Sequence, residues 1–494
     1  MSDSASIHGA DSAITDAAGQ LPEFAETDAR DLRACIAVFS ANESRNDALY
    51  EVYEGKVALR RVPAYVPARY KSMHIGCPWP EIAVQSVVER SRFGGFVFED
   101  ADEEAAERMR AIERRCDVAL GYQAGLIDAQ VAGVSFAVVG RDGDSACLRW
   151  HTAQSAAGLW DYAHGRLRCG FAIVDRARKG SAASGDEHTD TVPSAIDFYT
   201  ERGCWELTRE GGTGPWSAEW LADPCGEPRM VALTFRPDGR HPLGRSRFTE
   251  PMRGIVQEYM ANALNLHVAS EFTAVGQKWA TGLTDAQYDA LVKEKWKFTA
   301  DNVVLLTDNP ATGSSPALGN FTQQSMEPIL SVKRSLAADF AAAASIPVSE
   351  LISQDSNPTS AEAITAMENK LISLVEAMNS RNALVLRRIA LLLQAVERDV
   401  SVSELTDAEK SVMVHMERPE TTSAAAQSDS AMKRVSAFPW MATSDVIIED
   451  LGYPAEQVAR LKRDRDRYQS RQLIAAAMSK PAEPADADAD AEVS

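Results

Sequence analysis

Gly244-Arg245-Ser246-Arg247-Phe248 starts as a nucleophile elbow does, but it closes on phenylalanine and leads into a helical pattern with no clear strand before it. A reactive Ser246 would also need a base within hydrogen-bond reach. The eight histidines (His8, His74, His151, His164, His188, His241, His267, His415) lie far apart in the sequence, and none sits in an H-E-x-x-H pattern. Each reads as a lone surface or core residue. The seven cysteines (Cys35, Cys77, Cys116, Cys147, Cys169, Cys204, Cys225) are scattered without a C-x-x-C pair and read as reduced, mostly buried thiols. Two Cys/His pairs are close in sequence, His74 with Cys77 and Cys147 with His151. The second falls on an expected strand, where four residues span about 13 Å and cannot share one zinc ion.

Other patterns are equally plain on inspection. No phosphate loop of the G-x-x-x-x-G-K-[ST] type occurs, and Gly211-Gly212-Thr213-Gly214 reads as a turn between β runs. The acidic run Glu99, Asp100, Asp102, Glu103, Glu104 and Glu107 lacks the spaced oxygens and glycine of a calcium loop and reads as a solvated helix start. Lys293, Lys295, Trp296 and Lys297 interleave charge and ring on a small expected helix, and Trp205, Trp216 and Trp220 lie in the β region, where core or interface use is commoner than sugar stacking. No catalytic set and no metal set emerges, and no cofactor is implied.

The elements that must carry these residues follow from periodicity. Leu32, Cys35, Ile36 and Phe39 mark one helical face within 28–45, and Val84, Val87 and Val88 another within 82–92. From about Val131 the period shortens to two: runs at 134–139, 146–151, 167–174, 195–199, 204–208 and 230–235, separated by turn residues, predict an antiparallel β region. Thr249 then reads as an N-cap for a long helix with an apolar stripe through Met252, Ile255, Val256, Met260, Leu264, Val268 and Phe272. A smaller mixed segment follows, with a helix from Thr284 and a strand at 303–306. A helix over 326–344 stops at Ile346-Pro347, and the polar stretch 353–359 precedes the longest helix, which runs from Ser360 to Arg398. Residues 1–26 and 481–494, rich in Ala, Ser and Asp, predict disordered ends.

With 494 residues, 45% hydrophobic and 25% charged, the composition is that of a multi-domain globular protein. The longest apolar runs fall far short of a membrane span, and the first twenty residues lack the order of a secretory signal, so the expected compartment is cytosolic. A formal charge of -20 argues against tight DNA binding and permits passing contact, because an acidic wall repels a polyanion.

The order of particular segments resembles a known family. Tyr50-Glu51-Val52-Tyr53-Glu54-Gly55-Lys56 precedes Trp79-Pro80 and Ile82–Arg90; His241-Pro242-Leu243-Gly244-Arg245-Ser246-Arg247 follows the β region; Ala269-Ser270-Glu271-Phe272 ends the next helix; and Ser356-Asn357-Pro358-Thr359-Ser360-Ala361-Glu362-Ala363-Ile364 opens the longest. This order is similar to that of the portal proteins of tailed bacteriophages, in the group from siphoviruses of actinobacteria.

The resemblance, which covers about 28–400, implies an α+β portal-type fold. It assigns a wing to 27–248, a first stem helix to 249–273, a clip to 274–325 and a second stem helix to 326–346. A tunnel loop follows at 347–359, a long wing helix at 360–400 and a helical crown at 401–480. The function implied is a non-enzymatic ring, usually of twelve subunits, at one capsid vertex. It is the channel for double-stranded DNA and the dock for the terminase large subunit and the head-tail adaptor, built with major capsid protein and scaffold in the host cytoplasm.

The DNA-facing residues so implied are Ser353, Gln354, Asp355, Ser356, Asn357, Pro358 and Thr359, with Lys333 and Arg334 as possible channel residues. Met260, Leu264, Val268, Leu336 and Phe340 would pack the stem. The seven loop residues carry hydrogen-bonding groups, one negative charge and no cation to hold a phosphate. Two other readings stay open: an adaptor or minor capsid protein without a channel, and a hydrolase in the β region using Ser246 or His151.

Overall fold

A computed structural model describes residues 3–7, 9–17, 24–62, 66, 70, 73–98, 103–178, 191–212, 214–275, 278–286, 288–289, 313, 315, 317–320, 325–352, 361–420, 424–444, 447–448 and 455–478. The chain divides into two units, Met1–Pro419 and Glu420–Ser494. No helix among the described residues is long and apolar enough to cross a membrane.

In the first unit, helices α1 (Asp3–Ile7), α2 (Ala10–Ala17) and α3 (Ala25–Tyr53) open the chain. The presence of α1 and α2 corrects the expectation of a disordered tail over 1–26. Ile7, Ala10, Ala13 and Ile14 recur at three to four residues, and all four are buried. That one small apolar face gains enough by docking to order a segment whose composition is otherwise polar. Arg176 pairs with Asp3 (2.6 Å), Arg33 with Asp11 (2.7 Å), and Arg209 Nη1 donates to Ser6 O (2.7 Å). Helix α4 (Trp79–Val88), strand β1 (Phe93–Phe98) and helices α5 (Glu103–Arg115) and α6 (Val118–Ala132) follow.

The antiparallel β region forms two sheets. Strands β2 (Val134–Asp142), β3 (Ser145–Thr152), β4 (Ala156–Asp161), β5 (Arg166–Arg178), β6 (Thr191–Tyr199), β7 (Gly203–Thr208), β8 (Ser217–Ala222) and β9 (Met230–Thr234) pair in the orders β3-β2-β9 and β4-β5-β6-β7-β8. Strands β4 and β8 are additions to the sequence reading, whose alternation they carry only weakly. Phe136, Val138, Met230 and Ala232 of the smaller sheet share a core with Ala156, Leu167, Ala172, Tyr199 and Cys204 of the larger. The opposite face of the larger sheet, through Phe171, Ile173, Phe198, Trp205 and Leu207, packs on α1, α2 and α3. Asp28 of α3 is buried there and accepts from Trp205 Nε1 (2.9 Å) and Arg202 Nη2 (2.7 Å). The other face of the smaller sheet, through Ala137, Val139, Val231 and Leu233, belongs to the main core with α4 and α6. Helix α6 approaches that sheet closely because Gly121 and Gly125 leave room for the Trp150 indole, which any Cβ at Gly125 would strike.

Helix α7 (Glu250–Val275) is followed by strands β10 (Lys278–Thr281) and β11 (Ala317–Asn320), an antiparallel pair with Lys278 opposite Asn320. The expected strand at 303–306 and the group Lys293, Lys295, Trp296 and Lys297 lie outside the described residues, as does most of the helix expected from Thr284. Helices α8 (Glu327–Ala344), α9 (Ala361–Arg398) and α10 (Asp407–Lys410) and strand β12 (Val412–Met416) complete the first unit. β12 pairs antiparallel with β1 across more than 300 residues of sequence, Phe98 opposite Val412 and Phe96 opposite Val414. Residues 401–419, grouped by the resemblance with the crown, thus lie in the first unit, with Leu405 and Val412 in its main core. In the second unit, the described elements are α11 (Ala424–Ala437), a short 3-10 turn over Pro439–Thr443 and α12 (Ala455–Met478).

Candidate functional site

Helices α7 and α8 run antiparallel, because contacts that climb one helix descend the other. Arg247, just before α7, reaches Ala344 at the end of α8; the Tyr259 ring lies beneath Lys333 Nζ (5.8 Å); and Asn262 Nδ2 donates to Ile329 O (3.2 Å). Met252, Val256 and Met260 share the main core with Leu336, Ala337 and Phe340. Trp79 at the start of α4 is fully buried, with Tyr259 on one side (4.4 Å between ring centroids) and Phe340 on the other (5.6 Å).

The five residues expected to pack the stem are all buried, in two different places. Met260, Leu336 and Phe340 join the helix pair to α4, whereas Leu264 and Val268 pack with Val66, and Leu59, Val62, Tyr70 and Ile75 close over them. Past its middle, α7 is therefore covered by these residues from between α3 and α4. Of the two candidate channel cations, Arg334 is exposed and pairs with Glu327 on its own helix (2.7 Å). Lys333 is half-buried over the Tyr259 ring.

Two features lock this helix pair in place, one at the edge of the β region and one at α6. Gly244 holds φ at +79°, and a Cβ there would collide with the carbonyl oxygens of Gly133 and Phe235. Glycine permits that crossing of three backbones. Arg245 N donates to Phe235 O (2.8 Å), and Arg247 N to Gln130 O (2.8 Å). The Arg247 side chain is fully buried: Nη2 donates to Ala344 O (2.6 Å), Nη1 to Gln130 Oε1 (3.3 Å), and Nε has no partner among the described residues. Burial, with a smaller push from Arg236, draws its pKa down to about 9, which still leaves it charged at neutral pH. The guanidinium meets the carbonyl of Ala344 at the C-terminus of α8, where the helix dipole favours a cation. Sequence reading missed this role; the signal was an arginine between Ser246 and an apolar residue directly before a helix start.

Ser353, Gln354, Asp355, Ser356, Asn357, Pro358 and Thr359 lie outside the described residues. Their flanks are described. Arg90 reaches Glu350 on one side (3.7 Å) and Glu368 on the other (3.3 Å), and Lys370 Nζ donates to Ala342 O (3.1 Å). Farther along, α9 is anchored by a buried polar chain. Asn382 Nδ2 donates to Tyr122 Oη (2.8 Å), Tyr122 and Ser91 share a bond of 2.8 Å, and Ser91 Oγ donates to Asn379 Oδ1 (2.6 Å). Glu350 and Glu368, on either side of residues 353–360, thus share one arginine.

The geometry offers little to acid-base or nucleophilic chemistry. Ser246 Oγ accepts from Phe248 N (3.0 Å) in a local turn, and among the described residues no histidine bonds to it. His151 sits on β3 opposite Phe136, and burial, with Arg149 beside it, draws its pKa down to about 4. No group of three or more His, Cys, Asp or Glu among the described residues is placed to hold a metal ion.

No family model matches the sequence. The portal protein of Mycobacterium phage D29 is 26% identical over 361 residues, which is 69% of this chain and 70% of the phage protein. This chain is similar to the portal proteins of mycobacteriophages. The portal protein of Mycobacterium phage L5 is also 26% identical, over 318 residues, 62% of this chain and 61% of that portal. Among solved structures, the neck of an empty gene transfer agent particle computed with C6 symmetry matches 82% of this chain and 98% of its own, at 15% identity and a TM-score of 0.42. The neck of the native particle computed with C12 symmetry matches at 14% identity, the same coverage and a TM-score of 0.40.

Proposed function

We propose that this chain is a portal protein: a subunit of a ring at one vertex of a phage capsid, through which double-stranded DNA is packaged and later ejected. The observation that carries the reading is the similarity to the D29 portal over 361 residues. The geometry supports it. An antiparallel helix pair tied to α6 through Arg247 and to α4 through Trp79 is a stiff lever, and Arg90 links Glu350, before the 353–360 segment, to Glu368, after it.

In this reading α7 and α8 form the stem, residues 274–325 the clip, and 353–359 the tunnel loop. Twelve copies close the ring, which works as a scaffold rather than an enzyme, without a cofactor. Its partners are other copies of itself, the terminase large subunit, a head-tail adaptor, major capsid protein and scaffold, and DNA in passing. It is assembled in the host cytoplasm and ends in the virion, with no membrane partner.

Negative-stain electron microscopy of the purified protein, with end-on views sorted by symmetry, tests this. Rings with a central hole and about twelve-fold symmetry are expected. A chain that stays monomeric at high concentration, and forms no ring with capsid and scaffold proteins, is not a portal.

A further inference from the structure

Although the chain carries a formal charge of -20, α12 is basic. It has Arg460, Lys462, Arg463, Arg465, Arg467 and Arg471 against Glu456, Asp464 and Asp466. At 3.6 residues per turn, Arg460, Arg463, Arg467 and Arg471 fall within an arc of about 80° and form a stripe about 16 Å long. All four are exposed. A groove of about 530 Å³ runs beside the first three, lined by Gln457, Arg460, Leu461, Arg463, Asp464 and Arg467. Asp464 borders the stripe and reaches Arg467 only at 3.8 Å.

A row of four exposed guanidinium groups concentrates positive charge on one face of a helix in a chain that is acidic as a whole. We propose that the arginine stripe of α12 is a binding surface for the phosphate backbone of double-stranded DNA. The inference rests on the portal reading, which brings a duplex to this protein, and adds a point of contact to it. Sixteen ångströms of duplex axis present about ten phosphate charges, and guanidinium forks suit phosphate oxygens better than ammonium groups do. The acidic remainder of the chain repels the same duplex, so contact at the stripe is weak and strongly salt-dependent.

The test compares the full chain with an R460Q/R463Q/R467Q/R471Q variant, glutamine being nearly as good a helix former as arginine. A fluorescent duplex of about 30 base pairs is titrated by anisotropy between about 50 and 200 mM salt, and the same samples are imaged for rings. The variant should keep its helical circular dichroism and its rings. Its log-log salt slope should fall by about 3 to 4, with the matching arginine-to-lysine variant recovering most of that slope. An unchanged slope and affinity in the glutamine variant, with rings intact, overturns the stripe and leaves the portal reading standing. Absence of rings in the unsubstituted chain, both alone and with capsid and scaffold proteins, overturns the portal reading itself. If the full chain ignores the duplex but a chain lacking residues 481–494 binds it, the stripe is occupied by the chain's own acidic end and not by DNA.

Discussion

Arg247 is a charge taken wholly out of water, and only its acceptors make that tolerable. Arg247→Leu would leave Ala344 O and Gln130 Oε1 buried without donors, at about 1–3 kcal/mol for each. The thermal unfolding midpoint should fall by several degrees, and a midpoint within a degree of the parent would remove this arginine from the frame. Asp128 of α6 makes the opposite case. It accepts from Tyr50 Oη at 2.7 Å, and burial outweighs that bond, pushing its carboxyl up to about 6. Between the ordinary value of 3.8 and about 6 the folded state binds more protons than the unfolded one, so this group favours folding more as pH falls through that window. Asp128→Asn should therefore raise the midpoint at pH 7 and match the parent near about pH 4. A gain that persists at low pH would mean that the carboxyl does not titrate there.

At the scale of elements, what joins the β region to α7 is a backbone crossing. Gly244→Ala puts a Cβ into two carbonyl oxygens at a positive φ, and should cost more than about 2 kcal/mol and much of the soluble yield. Gly239, with open space around its Cβ position, serves as the control and should accept alanine. The helices with long one-sided stripes, α7, α8 and α9, were legible from spacing alone, as were most of the strands, because burial of one face writes a period into the sequence. What each stripe packs against was not legible. Leu264 and Phe340 look alike in sequence, yet one is covered by the segment around Val66 and the other by Trp79. Periodicity reports that a face is buried and is silent on the partner.

For the molecule as a whole, the boundary near residue 400 is the informative place to cut. A chain ending at 400 loses Leu405 and Val412 from the core, the β1 partner strand, and the carbonyls of Lys410 and Val412 that Arg387 bonds. A chain ending at 419 keeps all of them. The shorter fragment should aggregate or melt well below the longer one; equal midpoints would show that 401–419 adds nothing to the first unit. Deleting residues 1–17 should likewise expose the apolar face around Phe171 and Phe198 and raise light scattering, whereas a dispensable tail would leave it unchanged.

The sequence by itself determined the element order, the α+β class and the family resemblance, because these depend on local periodicity, caps and short motifs. It also showed that no cluster of catalytic residue types is written at catalytic spacing. Only the tertiary structure decided that Arg247 lies buried against the end of α8, that Arg90 holds both flanks of the 353–360 segment, and that β12 closes on β1. Those contacts join residues 97 to more than 300 positions apart. Their energy comes from removing paired groups from water in three dimensions, and no local pattern records that.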